Sequence, residues 1–374
     1  MSRIRPFHTD DVPAVADLWV RVFRRGATRE GVARYLRQVF GDPPAREAGI
    51  TSLVHEDDAG AVAGFVGALP RRMIFRGRAI RAAVATQLMV DPARRRPFAA
   101  FDLLRALFSG PQDLTFSDGA NERSAAVWER SGGEVVRLYS LDWTRVLRPA
   151  GFLRHRIERA GALGPARAAA PLCRATDELA ARVSSRVLKI DRGSALGVPL
   201  GPPRPRLAEE VVDAAAVRAL LTEARPSLYP SYDGPTLPWL LEHAAETRRH
   251  GALRARLCLD RKGEPAGWYV YYAQAGGVSQ VLQFGGRRGA IGDVLANLFA
   301  DAYRTGSVAV AGQAEPRWLR EITDAQATLS CNSLGVLVHA RDGDIVGAIQ
   351  RGDAFLSRLD GEWWLRFGAD PLVA

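Results

Sequence analysis

The sequence predicts an α/β protein of two units, each built on a mixed, mostly antiparallel central sheet flanked by helices. Three observations carry this. The chain has 374 residues, 47% hydrophobic and 25% charged, which suits a globular protein with room for two cores. A strand, an arginine-rich turn and an amphipathic helix follow one another over Leu88–Leu104, and a weaker copy lies at Leu282–Leu295. The order of extended and helical segments in the first 148 residues recurs, diverged, after residue 206.

In the first unit, Ile4–Phe7 reads as a strand. A helix over Asp11–Arg25 follows, capped by Thr9 or Asp10, with Val12, Val15, Leu18, Trp19, Val22 and Phe23 on one face. Arg29–Phe40 is a second helix, ended by Gly41-Asp42-Pro43-Pro44. Ser52–His55, Ala61–Phe75 and Arg78–Val90 alternate as strands, with turns at Asp57–Gly60 and Arg76-Gly77. A helix (Ala99–Phe108), a strand (Leu114–Ser117), a helix (Glu122–Ser131) and a last strand (Val135–Trp143) complete residues 1–148.

Residues 149–206 break the pattern. They are rich in Ala, Arg, Gly and Pro and hold eleven basic residues against four acidic ones, a net +7 out of +10 for the chain. Asp177–Lys189 has helical spacing. The segment reads as a solvated connector, a basic amphipathic membrane contact being the other reading. Residues 207–374 form the second unit, with helices at Ala208–Leu221, Leu237–Arg249, Ile291–Arg304 and Glu315–Ile322. Its strands fall at Leu253–Leu259, Gly267–Ala273, Gly277–Phe284, Val308–Ala311 and Gly335–His339. Ile345–Arg351 and Glu362–Phe367 close it.

Composition excludes several classes. No apolar run reaches the length of a membrane helix and Met1–Asp10 has no signal-peptide core, so a cytoplasmic protein is expected. Cys173, Cys258 and Cys331 form no CxxC and read as reduced thiols, and the six histidines form no ligand pair, so no metal is expected. There is no GxSxG, Walker A or GxGxxG motif. The pI near 10.1 suits an acidic partner, but 49 of the 51 basic residues are arginine, which reads equally as the coding bias of a GC-rich genome.

The segment that carries chemistry is Leu88–Leu104. It places Val90, Pro92 and Arg95 before a turn, and Leu103 and Leu104 in the helix behind it. In this it resembles the acyl-CoA-binding segment of the GNAT N-acetyltransferases, a resemblance that extends over about 140 residues. The resemblance implies that the fourth strand pairs with the pantetheine of acyl-CoA, that turn amides meet the pyrophosphate and that a helix N-terminus faces it. Leu88, Val90, Arg94, Arg95, Arg96, Ala99 and Ala100 are the binding residues it selects here. The family's glycine places hold Arg96, Phe98 and Ala100. Phe98 puts a ring where the phosphate approaches, and Pro97 lacks a donor.

A second landmark of the family falls on Asn121, Ser124, Trp128, Gly132 and Gly133. The family's proton-donating tyrosine is Trp128 here, which cannot titrate and reads as core or cleft wall. In the second copy, Leu282, Arg287, Gly289, Ala290, Ile291, Gly292 and Leu295 match, with Arg288 adding charge. Its small residues, Gly289, Ala290 and Gly292, leave a cradle sterically open. Arg287, Arg288, Gly289, Ala290 and Gly292 are therefore also candidates. Steric room favours the second unit as binder, strength of resemblance the first.

Acid–base candidates are Gln87 and Asp118, at the ends of the central strands, with Asn121. Asp118 reads equally as the start of a turn that caps the next helix. In the second unit Tyr229, Tyr232 and Asp233 lie in a loop that could cover an acceptor, and Glu315 follows a strand. The resemblance implies an acyl-CoA-dependent N-acyltransferase, acetyl-CoA being the expected cosubstrate and a small-molecule amine the acceptor. A Fem-type transferase using aminoacyl-tRNA is an alternative, although its coiled coil is missing. A non-catalytic ligand- or partner-binding module is another. Nucleic acid enters only as that tRNA.

Overall fold

The computed structural model describes residues 3–23, 26–41, 47–94, 98–161, 171–173, 175–179, 202–331 and 335–365. Arg95, Arg96 and Pro97, the side chain of Arg94, most of the Asp177–Lys189 segment and the residues after 365 lie outside them.

The chain forms two compact units, neither contiguous in sequence. The first comprises 1–140, 226–249 and 332–374, the second 141–225 and 250–331. The sequence-based boundaries at 148 and 206 follow composition. The observed division follows strand pairing.

In the first unit, β1 (Arg3–Pro6), β2 (Leu53–Glu56), β3 (Val62–Phe75) and β4 (Arg78–Val90) run antiparallel in order. β5 (Leu114–Ala120) then lies parallel to β4. β15 (Gly335–Ala340) and β6 (Glu134–Val135) complete this sheet, and β9 (Leu228–Pro230) adds to β3. The helices α1 (Val12–Phe23), α2 (Arg29–Phe40), α3 (Ala99–Phe108) and α4 (Glu122–Arg130) stand where the spacing predicts them. The first of these is entered through a 3₁₀ turn at Thr9–Asp11. His8, rather than Thr9 or Asp10, is the N-cap residue, and its backbone N–H donates to Asp11. In α1 the buried stripe Val12, Val15, Leu18 and Trp19 recurs at i, i+3, i+6 and i+7, the period of one helix face.

The second sheet has the same plan. β8 (Ala208–Val211), β10 (Ala252–Leu259), β11 (Pro265–Ala273) and β12 (Val278–Gly286) are antiparallel neighbours. β13 (Ala309–Gln313) lies parallel to β12, followed by β7 (Leu141–Val146) and β14 (Thr328–Cys331). The helix α5 (Pro149–Arg159) and its successors α6 (Ala214–Ala224) and α8 (Ile291–Arg304) belong to this unit, as does α9 (Leu319–Asp324). α7 (Thr236–Ala245) and α10 (Gly343–Gln350) belong to the first.

Two expectations need correction. The stretch Val135–Trp143 is not one strand. It breaks at a turn in which Ser140 donates back to Val136 and Arg137. Its ends enter different sheets, because Trp143 is fully buried in the apolar cluster of the second. Reciprocally, β15 pairs with β5 of the first. Residues Ala208–Val211 form a strand rather than the start of a helix. Asp213 caps α6 by accepting the Ala216 N–H at 2.7 Å, so the helix begins only after it.

Buried Tyr139 holds the turn before β7. Its hydroxyl donates to the Ala354 carbonyl at 2.6 Å and accepts the Ala354 N–H at 3.1 Å. Replacing Tyr139 by Phe strips two buried backbone groups of this partner. The expected cost is about 1–3 kcal/mol in urea unfolding, and a cost below about 0.5 kcal/mol would contradict the assignment.

Candidate functional site

Strands β4 and β5 pair at only three positions, Ala82↔Leu114, Ala83↔Thr115 and Val84↔Phe116. Beyond Val84, β4 continues to Val90 bonded to β3 alone, so the edge that faces β5 opens into a fork. Gln87 lies in the opened part with φ +54°, a left-handed conformation that costs an L-residue about 1–2 kcal/mol. The register between β3 and β4 slips beside it. Its amide donates to Tyr35 Oη at 2.5 Å, and Oε1 is buried without a hydrogen-bond partner among the described residues.

The fork encloses a cavity of about 320 Å³. Thr86, Gln87 and Leu88 line it from β4, Ser117 and Gly119 from β5, with Asn121, Trp128 and Glu362 around them. Glu362 is the residue that sequence reasoning missed. Its carboxylate accepts the Ser117 hydroxyl, which bridges the fork to a segment some 245 positions later in the chain.

Asp118 holds that segment. Its Oδ1 accepts the backbone N–H groups of Glu362 at 2.6 Å and Trp363 at 3.1 Å. Gly361 is required here, since a Cβ would come within 2.3 Å of the Asp118 carboxyl carbon. A second anchor is Asp360, fully buried, which accepts Tyr232 Oη at 2.7 Å and Ser357 Oγ at 2.6 Å. The buried Arg71 donates its Nε to the Asp360 carbonyl at 3.2 Å. Tyr232 therefore serves the first unit, not an acceptor loop of the second. Asp233 likewise pairs with Arg72 at 3.0 Å, and Tyr229 lies in β9 against Ile74.

The electrostatics follow from burial. Asp118 is pushed up to about 7, first by burial and then by the neighbouring Glu362 charge. Burial also pushes Glu362 up, and the Ser117 hydroxyl offsets this only in part. Two carboxyls thus sit at one fork with their protons held unusually tightly.

The other predicted residues are placed as follows. Asn121, not Asp118, caps α4, accepting the Ser124 N–H at 3.0 Å. Trp128 is buried edge-on against Phe108 at 5.0 Å and also borders the cavity. Leu88 and Val90 are half-buried on β4, and Ala99 and Ala100 open α3. Pro92–Arg94 is a 3₁₀ turn whose Ala93 N–H is taken by Asp91. Phe98 has φ +81° and is 75% exposed. Its backbone adopts the conformation a glycine would supply, and its ring stands in solvent.

The second sheet forks in the same way. β12 and β13 pair from Val278↔Ala309 to Val281↔Gly312 and then part. Trp143, opposite Gly312, packs edge-on against Phe284 at 6.2 Å and Phe299 at 6.0 Å. Gly285 lies against Trp268, where a Cβ would come within 2.5 Å of the ring. At the turn, Gly289 and Gly292 face open space and Ala290 precedes α8. Arg287 is engaged by Glu223 at 3.3 Å and Asp260 at 3.5 Å, and Arg288 stands beside it. Glu315 is buried and paired with Arg317 at 2.8 Å. Among the described residues no cluster of His, Cys, Asp or Glu could hold a metal ion, and no helix is long and apolar enough to cross a membrane.

No family model and no curated protein matches the sequence. Solved structures do. A conserved protein from Enterococcus faecalis V583, described as a probable N-acyltransferase, matches with a TM-score of 0.58 at 12% identity, over 91% of this chain and 73% of that one. A GCN5-related N-acetyltransferase from Anabaena variabilis matches with a TM-score of 0.58 at 11% identity, over 92% and 74%. Another from Kribbella flavida matches with a TM-score of 0.50 at 12% identity, over 92% and 72%. The chain carries the GCN5-related N-acetyltransferase fold. Within that fold β4 and β5 splay to form the first fork, and Glu362 is seated in it.

Two substitutions test the geometry. Gly361→Ala drives a methyl into Asp118 and is expected to release Glu362, so that Trp363 fluorescence shifts to the red. An unshifted spectrum would mean that the segment is held elsewhere. The fold prefers neutral Asp118. That contribution is full below the unfolded value near 3.8 and is lost as pH rises through about 7. Asp118→Asn keeps the acceptor oxygen, so thermal stability of wild type and variant should diverge between pH 4 and 7. The variant should gain on wild type by roughly 4 kcal/mol. Parallel curves would refute the shift.

Proposed function

We propose that the first unit is an acyl-CoA-dependent N-acyltransferase site, with acetyl as the acyl group and a small-molecule amine as acceptor. The observation that carries this is the Glu362 carboxyl, seated in the fork where β4 leaves β5. The free edge of β4 over Leu88–Val90 offers unpaired amide groups to a pantetheine as a further strand would. In sequence, Arg94, Arg95 and Arg96 bring charge just before α3, and the start of α3 at Ala99 and Ala100 offers a helix N-terminus to the pyrophosphate.

In this reading Glu362 accepts a proton from the acceptor ammonium. The amine nitrogen attacks the thioester carbonyl carbon, the C–S bond breaks, CoA leaves as thiolate, and the acylated nitrogen gives its surplus proton to solvent. Asp118 positions Glu362 by accepting the backbone N–H groups of Glu362 and Trp363, and burial raises the proton affinity of Glu362. A carboxyl whose proton affinity burial has raised is matched to such a task. Trp128 gives the thiolate no proton, so the thiolate takes one from solvent. Gln87 and Asn121 face the cavity as polar contacts.

A non-catalytic reading has one observation in its favour, Trp128 in place of a proton donor. Thioester turnover separates the two. Glu362→Gln should lower kcat about 10²–10⁴-fold with several amines and leave calorimetric acetyl-CoA affinity within about threefold. Binding without turnover in the wild type would establish the ligand-binding module instead.

The site's location and pH behaviour give further expectations. Acetyl-CoA binding should survive Arg287→Ala and tighten in Phe98→Gly, because Phe98 already has a glycine-like backbone. Loss in Arg287→Ala would move the site to the second unit. The rate should rise with pH as Glu362, held above the ordinary carboxylate range by burial, gives up its proton. Asp118→Asn removes a negative neighbour, so this limb should move to lower pH. An unmoved limb would exclude the carboxyl pair as the base.

A further inference from the structure

Helix α5 packs on the second unit by one face, and its other face is exposed among the described residues. Gly151 is buried against Val308, and Arg148, just before the helix, donates to the Ser307 and Tyr303 carbonyls. Arg154 is half-buried and paired with Glu158. The outer face presents Leu153, Arg156, Ile157 and Ala160, all exposed, at i, i+3, i+4 and i+7. That is a single stripe of a helix, and Arg156 and Arg159 frame its apolar residues. Helical residues 171–173 and 175–179 follow in the same segment. Asp177 binds the start of α5, accepting the N–H groups of Ala150 at 3.0 Å and Gly151 at 2.8 Å. Leu172 and Leu179, seven positions apart, are 72% and 61% exposed. Of seven large hydrophobic side chains exposed among the described residues, four lie in this one segment. Beside these apolar tips Arg156 and Arg159 are both exposed.

We infer that the outer face of α5 docks the protein on an anionic phospholipid surface. Basic charge alone would suit a nucleic acid equally. Leucine and isoleucine tips at helical spacing would not, since they gain nothing at a phosphate backbone. Apolar tips ringed by arginine are what an anionic lipid interface takes, with tips among the acyl chains and guanidinium groups among the headgroup phosphates. A connector that only bridged two units in water would carry polar residues on this face.

The test is sedimentation of the full-length protein with vesicles of phosphatidylcholine alone or mixed with phosphatidylglycerol. Binding is expected to the mixed vesicles only, to weaken steeply by about 0.5 M salt, and to fall roughly tenfold in Leu153→Glu/Ile157→Glu. Unchanged melting and circular dichroism in the variant show that the loss is not unfolding. Three results would overturn the inference. One is no binding to the anionic vesicles. Another is equal binding by the double variant, which leaves charge alone. The third is a wild-type dimer that the variant abolishes with vesicle binding untouched, which makes a second copy the occupant.

Discussion

Three residue pairs join β4 to β5, and the release of that pairing beyond Val84 and Phe116 is the constraint on which the first unit depends. A strand edge left open inside a protein must be bonded by something, because buried amides without partners cost about 1–3 kcal/mol each. At the root of the fork, the side chains of Ser117 and Glu362 supply polar partners. Further out, the edge borders a cavity. The same opening that weakens the sheet creates a recess with polar walls, and the bend at Gln87, with its positive φ, turns β4 away to make room.

Placing a carboxylate at this root is costly and therefore needs scaffolding. A buried acid is tolerated when it is neutral or hydrogen-bonded, and the segment around Glu362 meets that condition twice. Asp118 binds its backbone, and Asp360 is bonded by Tyr232, Ser357 and the strand residue Arg71. Neither anchor provides much net stability, since burial pushes both carboxyls up. What they provide is position. Gly361 has no room for a methyl group beside Asp118, which fixes the register of the segment to one residue and so fixes which side chain enters the fork.

Much of the fold was legible because periodicity reports local structure directly. The spacing placed α2, β4, α3 and α8 at their observed ends. What periodicity cannot report is the partner of a strand. Leu141–Val146 alternates as well for one sheet as for another, and only Trp143, buried with Phe284 and Phe299, decides it. Short strands such as Leu228–Pro230 carry too few residues to show a period. The site was half legible. Gln87, Asp118 and Asn121 sit at strand ends, where a fork can be anticipated from the motif. Glu362 could not be anticipated, since it is local to nothing in the motif, and its one signal is an acid two places after Asp360 and beside Trp363 and Trp364.

The two sheets share strand order, the position of the parallel pair and the entry of one strand from the far half of the sequence. They differ in what fills the fork. In the first it is Ser117, Asp118 and Glu362 around a cavity. In the second, the strands beside the fork carry Trp143, Phe284 and Trp268, Glu315 is neutralised by Arg317, and the turn arginine Arg287 is already engaged by two carboxylates. Small residues at the second turn give steric room and Arg288 is exposed there, but Arg287 beside it is already held by Glu223 and Asp260. Backbone topology is common to both units and cannot assign a role to either. The forks differ in chemistry: the first brings two buried carboxyls, Asp118 and Glu362, both with proton affinity raised by burial, to an open strand edge.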